Sequence, residues 1–102
     1  MYKVLIAEDE ELIRRGLVYT IDWLSLGCTV IGEAADGLEG LQKIKETHPD
    51  IVIADIRMPG MSGLGMIEKA KESGERFYAI ILSSYSEFDY ARQAIILDVG
   101  EY

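Results

Sequence analysis

Basic residues are scarce in this chain. Ten Lys and Arg stand against eighteen Asp and Glu, a net charge of −8. That imbalance disfavours direct contact with nucleic acid or with an anionic membrane surface. A single cysteine, Cys28, excludes an intrachain disulfide and leaves no Cys-based zinc site to consider. Within Cys28-Thr29-Val30-Ile31 it reads as a small buried side chain. The one histidine, His48, lies between Thr47 and Pro49, where it reads as a cation near a helix C-terminus and not as a catalyst. No apolar run approaches the roughly 18 residues of a membrane span. No signal-peptide pattern precedes the first strand, because Met1-Tyr2-Lys3 lead straight into it, and the cytoplasm is the expected location. Low-complexity segments, charge blocks and internal repeats are also missing. What remains is one domain's worth of sequence, 102 residues of which 49% are hydrophobic.

Strand and helix signals alternate along it. Residues 2–7 predict a strand, and residues 10–23 a helix with Leu12, Ile13, Leu17, Val18 and Ile21 at helical spacing. After a turn at Leu26-Gly27, residues 28–33 predict a second strand. Asp36 with Glu39 resembles a capping box and opens a helix to about residue 47, its apolar face Leu38, Leu41 and Ile44. Pro49-Asp50 ends it, and a third strand follows at 51–55. Pro59-Gly60-Met61-Ser62-Gly63 is built from turn formers. A helix over about 64–73 carries Leu64, Ile67 and Ala70 inward, and residues 77–83 predict a fourth strand. Ser86 with Asp89 signals one more helix, to about Leu97. Such alternation with short connections predicts an α/β fold, a doubly wound parallel sheet with helices on both faces. The strand order 2-1-3-4, flavodoxin-like, makes the first and third strands neighbours at the switch point where ligands sit.

Both of those strands end in acid. Val4-Leu5-Ile6-Ala7 runs into Glu8-Asp9-Glu10-Glu11, and Ile51-Val52-Ile53-Ala54 into Asp55. Runs with so little polarity belong to strands buried on both faces. In a parallel sheet the two carboxyl ends share an edge, so Glu8, Asp9 and Asp55 would meet there although about 46 residues separate them. Three crowded carboxylates raise one another's pKa unless a cation intervenes. The pattern therefore points to a hard divalent metal. The bland alternatives are an Asx turn opened by Asp55 and a helix N-cap supplied by Asp9.

The motifs Val4-Leu5-Ile6-Ala7-Glu8-Asp9-Glu10, Asp55-Ile56-Arg57-Met58-Pro59-Gly60-Met61-Ser62-Gly63 and Ser83-Ser84 together resemble the receiver domain of bacterial two-component response regulators, over all 102 residues. Ile21-Asp22-Trp23-Leu24-Ser25-Leu26-Gly27 and Ser83-Ser84-Tyr85-Ser86-Glu87-Phe88-Asp89-Tyr90-Ala91 resemble the subgroup with an AraC-type helix-turn-helix output. The resemblance implies a phospho-acceptor signalling domain and not an enzyme. Asp55 would take a phosphoryl group from a histidine kinase and relay the signal to a transcriptional output domain. It implies Mg²⁺ held by Asp9, by Glu8 through water, by Asp55 and by the Arg57 backbone carbonyl. Ser83 would hydrogen-bond the phosphoryl group, and Tyr102 would be the mobile aromatic that follows Ser83.

Departures from the family pattern are specific. Glu8 stands where Asp is more usual. A lysine, a fifth strand and a fifth helix would follow Tyr102, so the sequence reads as a receiver incomplete at its C-terminus, with the fourth strand an exposed edge open to self-association. Two other functions compete. One is an interaction module of the same fold that works without phosphorylation. The other is an Mg²⁺-dependent phosphohydrolase, which would carry a second acid where Arg57 stands. A nucleotide site is disfavoured, since four acids and no Gly-rich cradle follow the first strand.

Overall fold

The computed structural model describes residues 1–82; Ser83, the Ser86–Asp89 cap signal with its helix, and Tyr102 lie outside the described residues. The apolar runs form the strands β1 (Tyr2–Ala7), β2 (Cys28–Ala34), β3 (Ile51–Asp55) and β4 (Tyr78–Leu82). All pair in parallel, in the order β2-β1-β3-β4. Three helices connect them: α1 (Glu11–Thr20), α2 (Gly37–Thr47) and α3 (Gly63–Glu72).

Burial explains why Val4–Ala7 of β1 and Ile51–Ala54 of β3 carry no polar residue. Val4, Leu5, Ile6 and Ala7 are fully buried, as are Val52 and Ala54. Alternate residues serve two cores. Leu5, Ala7, Val52 and Ala54 pack under α2 and α3, against Ile44, Leu64, Met66, Ile67 and Ala70. Val4, Ile6 and Ile53 pack on the opposite face, under Leu17 and Val18 of α1 and under Trp23. Burying such side chains contributes ~1.5–3 kcal/mol each, which makes this sheet the stable frame for its edges.

Two helices depart from the sequence expectation. Helix α1 stops at Thr20, short of residue 23, and Ile21 is extended. Trp23 causes the early stop: its Nε1 donates to the Leu17 carbonyl at 3.0 Å, the group a continuing helix would have bonded to the Ile21 amide. A short 3₁₀ turn over Leu24–Leu26 follows, and Gly27 closes it at φ 75°. Leu12 and Ile13 do not point inward, being 87% and 46% exposed. Arg14 takes the sheet-facing place in that turn, and the stripe facing the sheet runs through Arg14, Leu17 and Val18.

Helix α2 starts as expected, with Asp36 accepting from the Glu39 amide at 2.7 Å and Glu39 reaching back to the Ala35 amide at 2.7 Å. Ile44 is buried and Leu41 packs against the core as expected, but Leu38 is exposed, and Gly37 and Gly40 complete the buried face. The two glycines let α2 press against α3 and its leading loop. A Cβ on Gly40 would lie 2.3 Å from Met66 Sδ, and one on Gly37 2.0 Å from the Met61 carbonyl oxygen.

Candidate metal centre

The register brings the acids together. Val4 pairs with Ile51 and Ala7 with Ala54, so Glu8 and Asp55 are the next residues on adjacent strands. The Glu8 amide continues the ladder on the other side, donating to Ala34 O at 2.9 Å. Glu8, Asp9 and Asp55 each present an oxygen within 4.8 Å of the others. They differ in exposure: Glu8 is buried, Asp55 half-buried and Asp9 exposed.

Glu8 sits at the bottom of this cluster, only 3% exposed. Its Oε2 is the buried side-chain oxygen left without a hydrogen-bond partner among the described residues. Two ionised carboxylates cannot donate to each other, so a proton, a cation or a donor such as water must stand between Glu8 and Asp55. Burial first, then the charge and the shared-proton contact of Asp55, then the charges of Asp9 and Glu10, push the Glu8 carboxyl up from 4.5 to about 7.

Asp55 is held by the loop that follows it. Its Oδ1 accepts from the Ile56 amide at 2.8 Å, a contact with the next residue that is not the two-residue reach of an Asx turn. Ile56 is buried, 2% exposed, and its carbonyl accepts from the Gly63 amide at 2.8 Å. That bond closes the loop back onto its own start. Gly63 sits so close to Asp55 that a Cβ there would lie 1.9 Å from the Asp55 carbonyl oxygen. Ser62 then caps α3, its Oγ accepting from the Gly65 amide at 3.0 Å. Asp9 is not tied up as a helix cap. Glu10 occupies that position, with no side-chain cap bond.

Arg57 lies two residues beyond Asp55 with an exposed side chain. The structure thus brings together Glu8, Asp9 and Asp55, with Arg57 on the adjoining loop; Ser83 and Tyr102 are outside the described residues. Sequence reading missed Arg14 and Glu33. Arg14 Nη1 donates to the Glu8 carbonyl at 2.7 Å, and its Nε donates to Glu33 Oε1 at 3.1 Å. The available signal was an arginine inside the apolar stripe of α1.

The donor set fits a magnesium-type cation. It is all oxygen, it includes a buried oxygen with no partner, and it repels itself in the absence of positive charge. Glu8, Asp9 and Asp55 would hold such an ion.

Comparison with known proteins gives a consistent result. The family model for the response regulator receiver domain matches residues 4–102. The transcriptional regulatory protein YesN of Bacillus subtilis is 43% identical over 102 residues, all of this chain and 28% of that protein. The transcriptional regulatory protein HptR of Staphylococcus aureus is 38% identical, again over all of this chain and 40% of that protein. The chain therefore spans well under half the length of these relatives. Among solved structures, the REC domain of AraT, a response regulator from Geobacillus stearothermophilus, superposes with a TM-score of 0.88 at 40% identity, covering 96% of this chain and 76% of that one. A two-component transcriptional regulator AraC from Clostridium phytofermentans gives a TM-score of 0.83 at 31% identity, covering 92% and 73%.

Proposed function

The chain belongs to the response regulator receiver domain family, whose members are signalling domains and not enzymes, and from that premise we propose that Asp55 is its phospho-acceptor. The observation that carries this reading is the convergence of Glu8, Asp9 and Asp55 within 4.8 Å at the carboxyl edge of the sheet. A carboxylate oxygen of Asp55 attacks the phosphorus of a phosphohistidine on a histidine kinase. The new P–O bond forms an acyl phosphate as the P–N bond breaks, and its electron pair leaves with the imidazole. Mg²⁺, when bound, neutralises charge on the transferring phosphoryl group.

The chain's own residues prepare that step. The Ile56 amide holds one Asp55 oxygen, leaving the other to react. Asp9, Asp55, the Arg57 backbone carbonyl and, through water, Glu8 would hold the cation. Ser83 hydrogen-bonds the phosphoryl group, and Tyr102 follows Ser83 in the switch. The signal passes to a transcriptional output domain, a reading supported by the regulators YesN and HptR, which are longer than this chain. The resemblance to the AraC regulator supports a helix-turn-helix output of that type. The side of β4 left unpaired among the described residues is the surface proposed for self-association.

The test is direct. The chain is incubated with acetyl phosphate and Mg²⁺, and its intact mass is followed. The wild type gains one phosphoryl group, while Asp55→Asn, folded by circular dichroism, gains none. A folded wild type that stays unmodified, or equal labelling of Asp55→Asn, overturns the assignment.

A further inference from the structure

The β1–β2 pairing is irregular at one point. Val4 pairs with Val30 but Leu5 pairs with Gly32, so Ile31 is an extra residue in β2. The bulge reverses which residues face which helix. Before it, Cys28 and Val30 pack on the α1 side. After it, Ala34 lies in the core under α2 and α3, and a Cβ on Gly32 would meet Leu5 Cδ1 at 3.2 Å on that same side. Glu33 is thereby turned toward α1. In a regular strand it would share the opposite face with Thr29 and Ile31. Bulges beside functional sites commonly re-aim a side chain in this way.

The re-aimed Glu33 meets Arg14. Glu33 Oε1 accepts from Arg14 Nε at 3.1 Å, and the Arg14 side chain is 15% exposed. The other arm of the same guanidinium, Nη1, donates to the Glu8 carbonyl at 2.7 Å. The ion pair of Arg14 is with Glu33 and not with Glu8, Asp9 or Asp55. Arg14 therefore bears on the acidic site through backbone. The Glu8 amide is held by Ala34 O, and the Glu8 carbonyl is held by Arg14. With both groups fixed, the chain leaves β1 in one direction, placing Glu8 inward and Asp9 outward around Asp55.

We infer that Arg14, aimed by Glu33 across the β2 bulge, is a positioning residue for the metal centre and sets its affinity for Mg²⁺. This rests on the Mg²⁺-dependent reading above. Outer partners that orient ligands commonly change metal affinity by 10–100-fold when lost. Arginine suits this place because its planar guanidinium meets the two acceptors with two different nitrogens in a fixed geometry, whereas an ammonium offers its donors from one nitrogen on a flexible stem.

The test is an Mg²⁺ titration of the chain followed by ¹H–¹⁵N NMR at the Glu8, Asp9 and Asp55 amides, with thermal melting alongside. Arg14→Gln is expected to weaken Mg²⁺ binding about tenfold. Glu33→Ala weakens it in the same direction, and the double variant is no weaker than Arg14→Gln, because the two act as one unit. Arg14→Lys recovers only part of the affinity. A purely structural role would lower the melting temperature and leave the Mg²⁺ midpoint where it was, and that result overturns the inference. If Arg14→Gln does not fold, Arg14→Lys and Glu33→Ala decide; wild-type Mg²⁺ midpoints in both overturn it. A wild type that never saturates with Mg²⁺ overturns the metal-centre reading and this inference together, whereas a wild type and an Arg14→Gln that saturate alike overturn this inference alone.

Discussion

Glu8 carries the chemistry of the site at the scale of a single side chain. It is a carboxyl at 3% exposure beside another carboxyl, raised to about 7. The sign of the consequence follows from proton counting. Between pH 4.5 and about 7 the unfolded chain has released the proton of Glu8 and the folded chain still holds it. This residue's contribution is therefore fully present below pH 4.5 and is lost as pH rises through about 7. The total is up to ~3 kcal/mol. In the presence of a chelator, the melting temperature of the wild type relative to Glu8→Gln is expected to fall over that window. Saturating Mg²⁺ removes the fall, because metal ligation requires the ionised carboxylate and holds it. Parallel melting curves for wild type and Glu8→Gln across pH 5–8 in chelator would show that Glu8 is not the titrating group.

At the scale of elements, glycine marks where backbone meets backbone. Gly63→Ala would drive a Cβ to 1.9 Å from the Asp55 carbonyl oxygen, so α3 or the end of β3 must shift. The expected cost is about 3 kcal/mol, together with slower phosphoryl uptake, since the displaced residue is the proposed acceptor. Gly16→Ala is the control. That glycine lies inside α1 with nothing within 4 Å of its would-be Cβ, and the substitution is expected to stabilise by about 0.5–1 kcal/mol. Chemical denaturation of both variants and acetyl phosphate labelling of Gly63→Ala check the pair; a Gly63→Ala as stable as wild type would disprove the close approach. These contacts also show what sequence could and could not reveal. The strands were legible because burial on both faces removes polar residues from Val4–Ala7 and Ile51–Ala54, and the α2 cap because Asp36 and Glu39 act locally. The end of α1 was not, since a tertiary bond from Trp23 to Leu17 O decides it. The acids were legible from their places at strand ends. Arg14 and Glu33 were not, because a bulge is a property of pairing between strands and leaves no trace in the alternation of one strand.

For the whole molecule, the balance between an apolar face and a large negative charge sets how copies of the chain meet. Among the described residues β4 pairs on one side only, with β3. On its α1 side Tyr78 and Ile80 are 54% and 48% exposed, beside the buried Ile53. An edge strand with apolar side chains is a template for pairing with a second copy. Opposing this is a net charge of −8 on every copy. At low ionic strength the repulsion reaches ~30 Å, and near 1 M salt it falls to ~3 Å. Self-association is therefore expected to strengthen with salt, the opposite of an interface built on complementary charge. Sedimentation velocity should find monomer in dilute buffer and a concentration-dependent larger species at high salt. Ile80→Lys, which adds charge to the edge and removes its apolar surface, should keep the chain monomeric in both conditions. A wild type that stays monomeric at high concentration and high salt would remove the edge of β4 as a contact surface, leaving the Asp55 site and its Arg14 support untouched.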